Sequence, residues 1–434
     1  MRRIRLVEEG TLKAMNKLCF KVFLPIYLFN SVYGADLATS FNGKLIAFAI
    51  TEFNLADSWV CTAISGILCG VILLILMVGG LTSCKMFNAQ NYHNIIEIES
   101  GNFAEDIPSV PEATIPIVDR GTAQKVGDRT VGGIKNASWY EVSDEYNLIK
   151  YKGEYYRISE LQYGGLFKYN KAKHSGIPGY VLVNVETQEA KYVELDEPIK
   201  FSPTAHYGDK LKRHLRREYR GFMFGKSFFE IDEEGNPYWI TAVNKPTIGL
   251  FGGKKQESFV LTDAVTGDTK LYATEDLPDW VDHAYSVDYL MQVVKYHQSY
   301  INGYWNNSEL FGSKTGVNRT TYDYSMESFV GYNTAITKDG DIVFYTGVTP
   351  ASGAESNLGF ILASPRTGEV KYYDCIGAEE SSAQLAAQGL VQNLGYTATF
   401  PTIINVDGEE YTKPKVTGNV NYTDKLVINF NFMK

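Results

Sequence analysis

Between Asp57 and Lys85 the chain carries no charged residue, and residues 59–82, WVCTAISGILCGVILLILMVGGLT, are apolar almost throughout. A helix rising about 1.5 Å per residue needs about 20 apolar residues to cross the hydrocarbon core of a bilayer. The stretch from Val60 to Leu81 meets that length. A core helix of this length would show a polar stripe, whereas this one has only Thr62 and Ser65 near its start. Trp59 at its entry suits the interfacial aromatic ring. The expectation is a membrane helix within residues 58–84, with membrane lipid as partner from Val60 to Leu81.

Upstream lie Arg2, Arg3, Arg5, Lys13, Lys17 and Lys21, then a shorter apolar run over 22–33, VFLPIYLFNSVY, interrupted by Pro25. If 59–82 is the sole span, the basic start stays cytoplasmic and the large remainder lies outside; if 22–50 also crosses, it returns inside. The single-pass, extracytoplasmic arrangement is favoured. Residues 17–29, KLCFKVFLPIYLF, and 42–50, NGKLIAFAI, resemble the second helix and the start of the third in auxin efflux carrier family transporters. The likeness covers about residues 11–50, and it implies a fragment or fusion of such a transporter, without the inverted repeats that build a transport site. Leu81-Thr82-Ser83-Cys84 also resembles a lipobox, which would place a lipid on Cys84.

Residues 85–118 mix acids with Pro108, Pro111 and Pro116, and they read as an extended stalk. Beyond them the chain repeats. Residues 179–193, GYVLVNVETQEAKYV, 258–272, SFVLTDAVTGDTKLY, and 359–373, GFILASPRTGEVKYY, align without gaps. Thr187, Thr266 and Thr367 share a column, then Gln188, Gly267 and Gly368, with Lys191, Lys270 and Lys371 three residues further on. Alternating apolar residues around a tight turn predict two antiparallel strands. A second hairpin precedes each copy, turning at Lys152-Gly153, Glu234-Gly235 and Asp339-Gly340, and Asp407-Gly408 starts a fourth that stays incomplete. Helical spacing over 204–221, 281–301 and 379–394 separates the hairpins.

The fold class expected is α+β: one or more N-terminal transmembrane helices followed by tandem antiparallel hairpins with packed helices. The divisions are a lead-in over 1–57, the membrane helix over 58–84, the stalk over 85–118, units over 119–200, 201–278 and 279–377, and a truncated fourth over 378–434. From about residue 119 onward, the helix followed by an x-Gly turn and a Thr-Gly-acid hairpin resembles PepSY-like modules. That resemblance implies small α+β units tethered outside a bacterial membrane.

Thirty Tyr and 39 Gly fit a sheet-rich chain with many turns, and a net charge of −9 argues against nucleic acid as the main partner. Of five cysteines only Cys375 lies beyond the apolar region, so an internal disulfide of the repeats is ruled out. Six scattered histidines, His93, His174, His206, His214, His283 and His297, show no metal spacing and read as surface or packing residues. Lys314-Thr315-Gly316 lacks an accompanying Ser-x-x-Lys, and residues 249–255, GLFGGKK, lack Walker spacing and read as a flexible connector. Asp232, Glu233 and Glu234 lack a full calcium loop. No catalytic set and no cofactor is expected. One surface stands out: Lys210, Lys212, Arg213, Arg216, Arg217 and Arg220 lie opposite Leu211, Leu215 and Tyr219. It offers itself to an anionic polymer, lipid or acidic envelope protein, against the plainer reading of a solvated helix face.

Overall fold

A computed structural model describes residues 59–110, 118, 120–132, 136–309, 311–322, 331–351, 356–378, 380–391, 397–398, 400–406, 426–429 and 432–433. The carrier-like stretch over 11–50 and the turn at Asp407-Gly408 lie outside them. Two compact units emerge: one ends at Cys84 and takes in the turn Gly249–Phe251, and the other holds Lys85–Ile248 and Gly252–Lys434.

The first unit contains helix α1 (Trp59–Thr82). From Ile67 to Leu81 most of its apolar side chains are exposed, among them Leu68, Leu74, Ile75 and Met77. Among the described residues no single helix is long and apolar enough to cross a membrane.

The second unit is mixed α+β and rich in antiparallel hairpins. It opens with α2 (Lys85–His93), β1 (Ile98–Ser100), α3 (Phe103–Asp106), β2 (Ser109–Val110) and α4 (Arg120–Val131). The first large sheet comprises β3 (Tyr140–Val142), β4 (Asn147–Tyr151), β5 (Glu154–Tyr163), β6 (Ile177–Asn184) and β7 (Ala190–Ile199), with α5 (Leu166–Ala172) between β5 and β6. Helix α6 (Leu211–Glu218) precedes the second sheet, β8 (Met223–Ile231), β9 (Pro237–Ile248), β10 (Gly252–Asp263) and β11 (Thr269–Ala273). Helix α7 (Val287–Ser299) precedes the third, which joins β12 (Asn318–Thr320), β13 (Asn333–Ile336), β14 (Ile342–Pro350), β15 (Ser356–Ala363) and β16 (Val370–Ala378). The chain closes with α8 (Glu380–Val391), β17 (Thr397–Ala398), β18 (Thr402–Val406), β19 (Leu426–Asn429) and β20 (Phe432–Met433). Strand β19 pairs antiparallel with β18, which pairs in parallel with β2 on its other edge.

The three aligned segments are the hairpins β6–β7, β10–β11 and β15–β16. Their shared threonine is explained by the turn. Asn184 Oδ1 accepts the N–H of Glu186 and Thr187, Asp263 Oδ1 accepts those of Val265 and Thr266, and Ser364 Oγ accepts that of Thr367. The threonine hydroxyls then accept from Glu189, Asp268 and Glu369. Two side-chain acceptors thus satisfy turn N–H groups that no ladder reaches. The next residue has φ of 63° at Gln188, 84° at Gly267 and 77° at Gly368.

One core packs the first sheet with α6 and the second sheet through Ile158, Val181, Leu211, Leu215, Phe229 and Trp239. A second core joins the other face of the second sheet to α7 and the third sheet through Ile240, Phe259, Val294, Phe344 and Ile361. Successive residues on a strand face opposite ways, so a sheet placed between two neighbours must be apolar on both faces. The expected stalk does not stand free. Residues 98–107 fold onto the third sheet, where β1 pairs in parallel with β16, Ile107 enters a core with Tyr345 and Phe360, and the Phe103 ring meets Phe360 at 5.2 Å, while Tyr92 of α2 packs with Ile248 and Tyr300. Tyr92, Phe103 and Ile107 bury enough apolar surface to outweigh the solvated alternative, and Pro108, Pro111 and Pro116 all lie downstream of them. The connector expected at 249–255 is likewise part of a hairpin, with residues 252–255 inside β10 and paired to β9.

Candidate functional site

Helix α6 is shorter than its sequence pattern implied. Leu211 and Leu215 are fully buried and hold one face down. The other attachments come from outside the helix: Leu211 N–H donates to Ser202 O (3.1 Å), and the His214 imidazole reaches Gly267 O (2.6 Å) while packing on the Phe201 ring at 4.4 Å. The helix is therefore clamped onto the Thr-Gly turn of its own sheet.

That clamp decides where the six cations point. Lys212, Arg213, Arg216, Arg217 and Arg220 are exposed, and Lys210 is half-buried at the N-cap, where its side chain makes no capping hydrogen bond. Arg213 Nη1 donates to Tyr207 O (3.0 Å). Among the described residues none of the six forms an ion pair with a carboxylate. Burial lowers the Lys212 ammonium from its ordinary value, and the neighbouring Arg216 and Lys210 charges add to the fall. The pairs 212/216 and 213/217 are like charges one turn apart, each costing the helix about 0.2–0.5 kcal/mol, and Arg220 follows just beyond the helix end. Lys210, Lys212 and Arg213 also crowd the N-terminus, the end of the helix that repels cations. Helix stability accounts for Leu211 and Leu215 but not for this face.

Two histidine arrangements escaped the sequence. His283 and Glu230 are both buried and meet at 3.0 Å, with the half-buried Asp282 beside them accepting the Lys150 N–H at 2.6 Å. Burial drives the Glu230 carboxyl well up and the His283 imidazole down to about 4. Burial first, and the Glu230 charge second, push Asp282 up to about 7. His93 and His297 stack with ring centroids 4.1 Å apart, and each Nδ1 reaches the other's carbonyl oxygen, at 2.6 and 3.1 Å. Their partners lie tens to hundreds of residues away, so no spacing could disclose them. Asp232, weighed as a cation ligand, accepts the N–H of Glu234 and Asn236 in its own turn.

A cleft of about 290 Å³ opens between Ile96, Glu97, Gln256, Tyr285, Tyr289 and Lys371. Gln256 sits where the β9–β10 register shifts, so the bulge turns its backbone toward α7: its N–H donates to the Tyr289 hydroxyl and its carbonyl accepts from Tyr285, both at 3.1 Å. Its Nε2 donates to Asn244 Oδ1 (2.8 Å), while its Oε1 is buried without a hydrogen-bond partner among the described residues.

No family model, curated protein or solved structure matches the chain. The functional reading therefore rests on these side chains.

Proposed function

We propose that the protein is a membrane-anchored, non-catalytic interaction protein, with α1 in the bilayer and the hairpin-repeat unit outside it, and that α6 binds an anionic polymer. The exposed apolar side chains of α1 support the anchor. The observation that carries the polymer reading is the spacing of Lys212, Arg213, Arg216, Arg217 and Arg220, exposed and unmatched by carboxylate ion pairs among the described residues. An anion laid along this face relieves both the like-charge pairs and the charge at the helix N-terminus. PepSY-like kinship remains part of this proposal, carried by the repeated helix-hairpin-hairpin order.

The test uses the full chain in phosphatidylcholine nanodiscs and fluorescent polyphosphate. Binding should weaken with added salt, and Arg213→Glu with Arg216→Glu and Arg217→Glu should weaken it about tenfold or more. Equal binding by that triple variant overturns the reading. Capture of polyaspartate in preference to polyphosphate would replace it with an acidic envelope protein as partner. Placement outside the membrane is checked in intact cells by an impermeant thiol reagent on Asp268→Cys, the native cysteines having been replaced. Asp268 is the exposed choice at this turn, because a Cβ at neighbouring Gly267 would lie 2.4 Å from the Phe201 ring. Protection until lysis would put the domain in the cytoplasm.

A further inference from the structure

Three residues at the tip of the longest hairpin belong to the unit that contains α1. Gly249–Phe251 joins β9 to β10, yet its contacts are with the end of the apolar helix. Phe251 N–H donates to Ser83 Oγ (3.0 Å). The Phe251 ring lies against Gly79 so closely that a Cβ there would stand 2.0 Å from Cε2, and a Cβ at Gly249 would stand 2.5 Å from the Thr82 carbonyl. Each close approach needs glycine, and Gly249 also has φ of 60°. Gly79 is three residues short of the helix end, so the aromatic ring reaches about 4.5 Å along the helix axis from Thr82.

From this contact we propose that the tip is a second membrane attachment, in which Leu250 and Phe251 enter the headgroup and upper acyl region of a bilayer that contains anionic phospholipid. The inference rests on the membrane reading of α1 and adds a site that the reading does not require. A ring packed beside the last turn of a spanning helix lies at the depth where aromatic side chains are favoured. Leu250 is 50% exposed, and Val78 and Leu81 near the end of α1 are exposed as well. Lysines flank the tip. Lys245 and Lys255 are directly opposite across β9 and β10, an arrangement that repels, and Lys254 is exposed beside them. Lys255 meets Glu257 at 2.8 Å, while Lys245 and Lys254 form no ion pair among the described residues. Apolar residues at a tip with cations behind them are the order in which a bilayer presents acyl chains and then phosphates. A turn made for water alone would not carry Leu-Phe between glycines.

The experiment places an environment-sensitive fluorophore on Leu250→Cys, or on Leu74→Cys, in the full chain with the native cysteines replaced. Each protein is reconstituted in nanodiscs of phosphatidylcholine, with or without phosphatidylglycerol, and quenched by lipids brominated at shallow or deep acyl positions. The inference expects the label at 250 to lose emission to shallow bromines and the label at 74 to lose it to deep ones. Lys245→Glu with Lys254→Glu should reduce the shallow quenching at 250 in discs with phosphatidylglycerol and leave it unchanged in pure phosphatidylcholine. Quenching at 74, but aqueous iodide quenching alone at 250, overturns the attachment and leaves the anchor standing. Loss of lipid quenching at both positions overturns both. Quenching at 250 that ignores the lysine exchange in either lipid overturns the anionic part.

Discussion

His283 Nδ1 lies 3.0 Å from Glu230 Oε1, and both side chains are almost wholly withdrawn from water. The pair sits where the second and third sheets approach, with the His283 ring between Phe228 at 5.9 Å and Phe344 at 5.8 Å. Buried this way, the imidazole is held neutral: its value falls from 6.5 to about 4. The unfolded chain takes up that proton first, so this group's contribution to stability is lost as pH falls from about 6.5 toward 4.

Asp282 works in the opposite direction. Its carboxyl rises from 3.8 to about 7, so the folded state holds the proton more tightly, and stability is lost as pH rises from about 4 to 7. Asp282→Asn keeps an oxygen for the Lys150 N–H and removes that loss. Urea unfolding at fixed pH values should show the variant gaining on the parent across this window and level above it, by about 1–2 kcal/mol once solvent screening of a half-buried group is allowed for.

The stacked imidazoles of His93 and His297 fasten α2 to α7. Burial, then the neighbouring His93, lower His297, so acidification protonates the separated ring before the packed one. Amide exchange in residues 85–93 should accelerate as pH is taken from 7 to 5, after correction for intrinsic rates. A protection factor independent of pH would show that the rings do not titrate in this contact.

Gln188 occupies with φ of 63° the turn position where the other two repeats place glycine. A side chain there costs about 1–2 kcal/mol, partly offset by the entropy that glycine brings. Gln188→Gly should therefore raise stability by about 0.5–1 kcal/mol. Gly267→Ala should lower it by about 2 kcal/mol or more, since strain at φ of 84° adds to collision with Phe201. Thermal unfolding of the two variants checks both signs.

Lys212→Glu would set an acid four residues before Arg216 and relieve the helix N-terminus. It should stabilise the domain by about 0.5–1 kcal/mol in denaturant titrations while weakening polyphosphate binding. A loss in both measurements would show that Lys212 serves the fold.

Several of these features could be read directly from the chain. Lys152-Gly153, Gly235 and Gly340 do turn with positive φ, because glycine or a compact loop there leaves the backbone few alternatives. The register of 179–193, 258–272 and 359–373 is local, and it is carried by turn hydrogen bonds spanning two to five residues. The basic face of α6 was legible too, from charge alternating with Leu211 and Leu215.

What the chain order concealed is everything joined across long separations. Residues 85–110 looked solvated because their partners, Val370 and Tyr373, lie far along the chain, and the acid at Asp106 finds Lys371 at 3.1 Å and the Tyr373 hydroxyl at 2.6 Å only after folding. Phe251 looked like part of a loose connector until Gly79 and Ser83 met it. The sequence by itself determined hairpins, turns and the apolar helix, since period and backbone freedom are properties of neighbours. Tertiary structure alone decided the buried Glu230–His283 pair, the docking of the 85–110 segment and the seat of the hairpin tip, because desolvation and close approach depend on which distant surfaces are brought together.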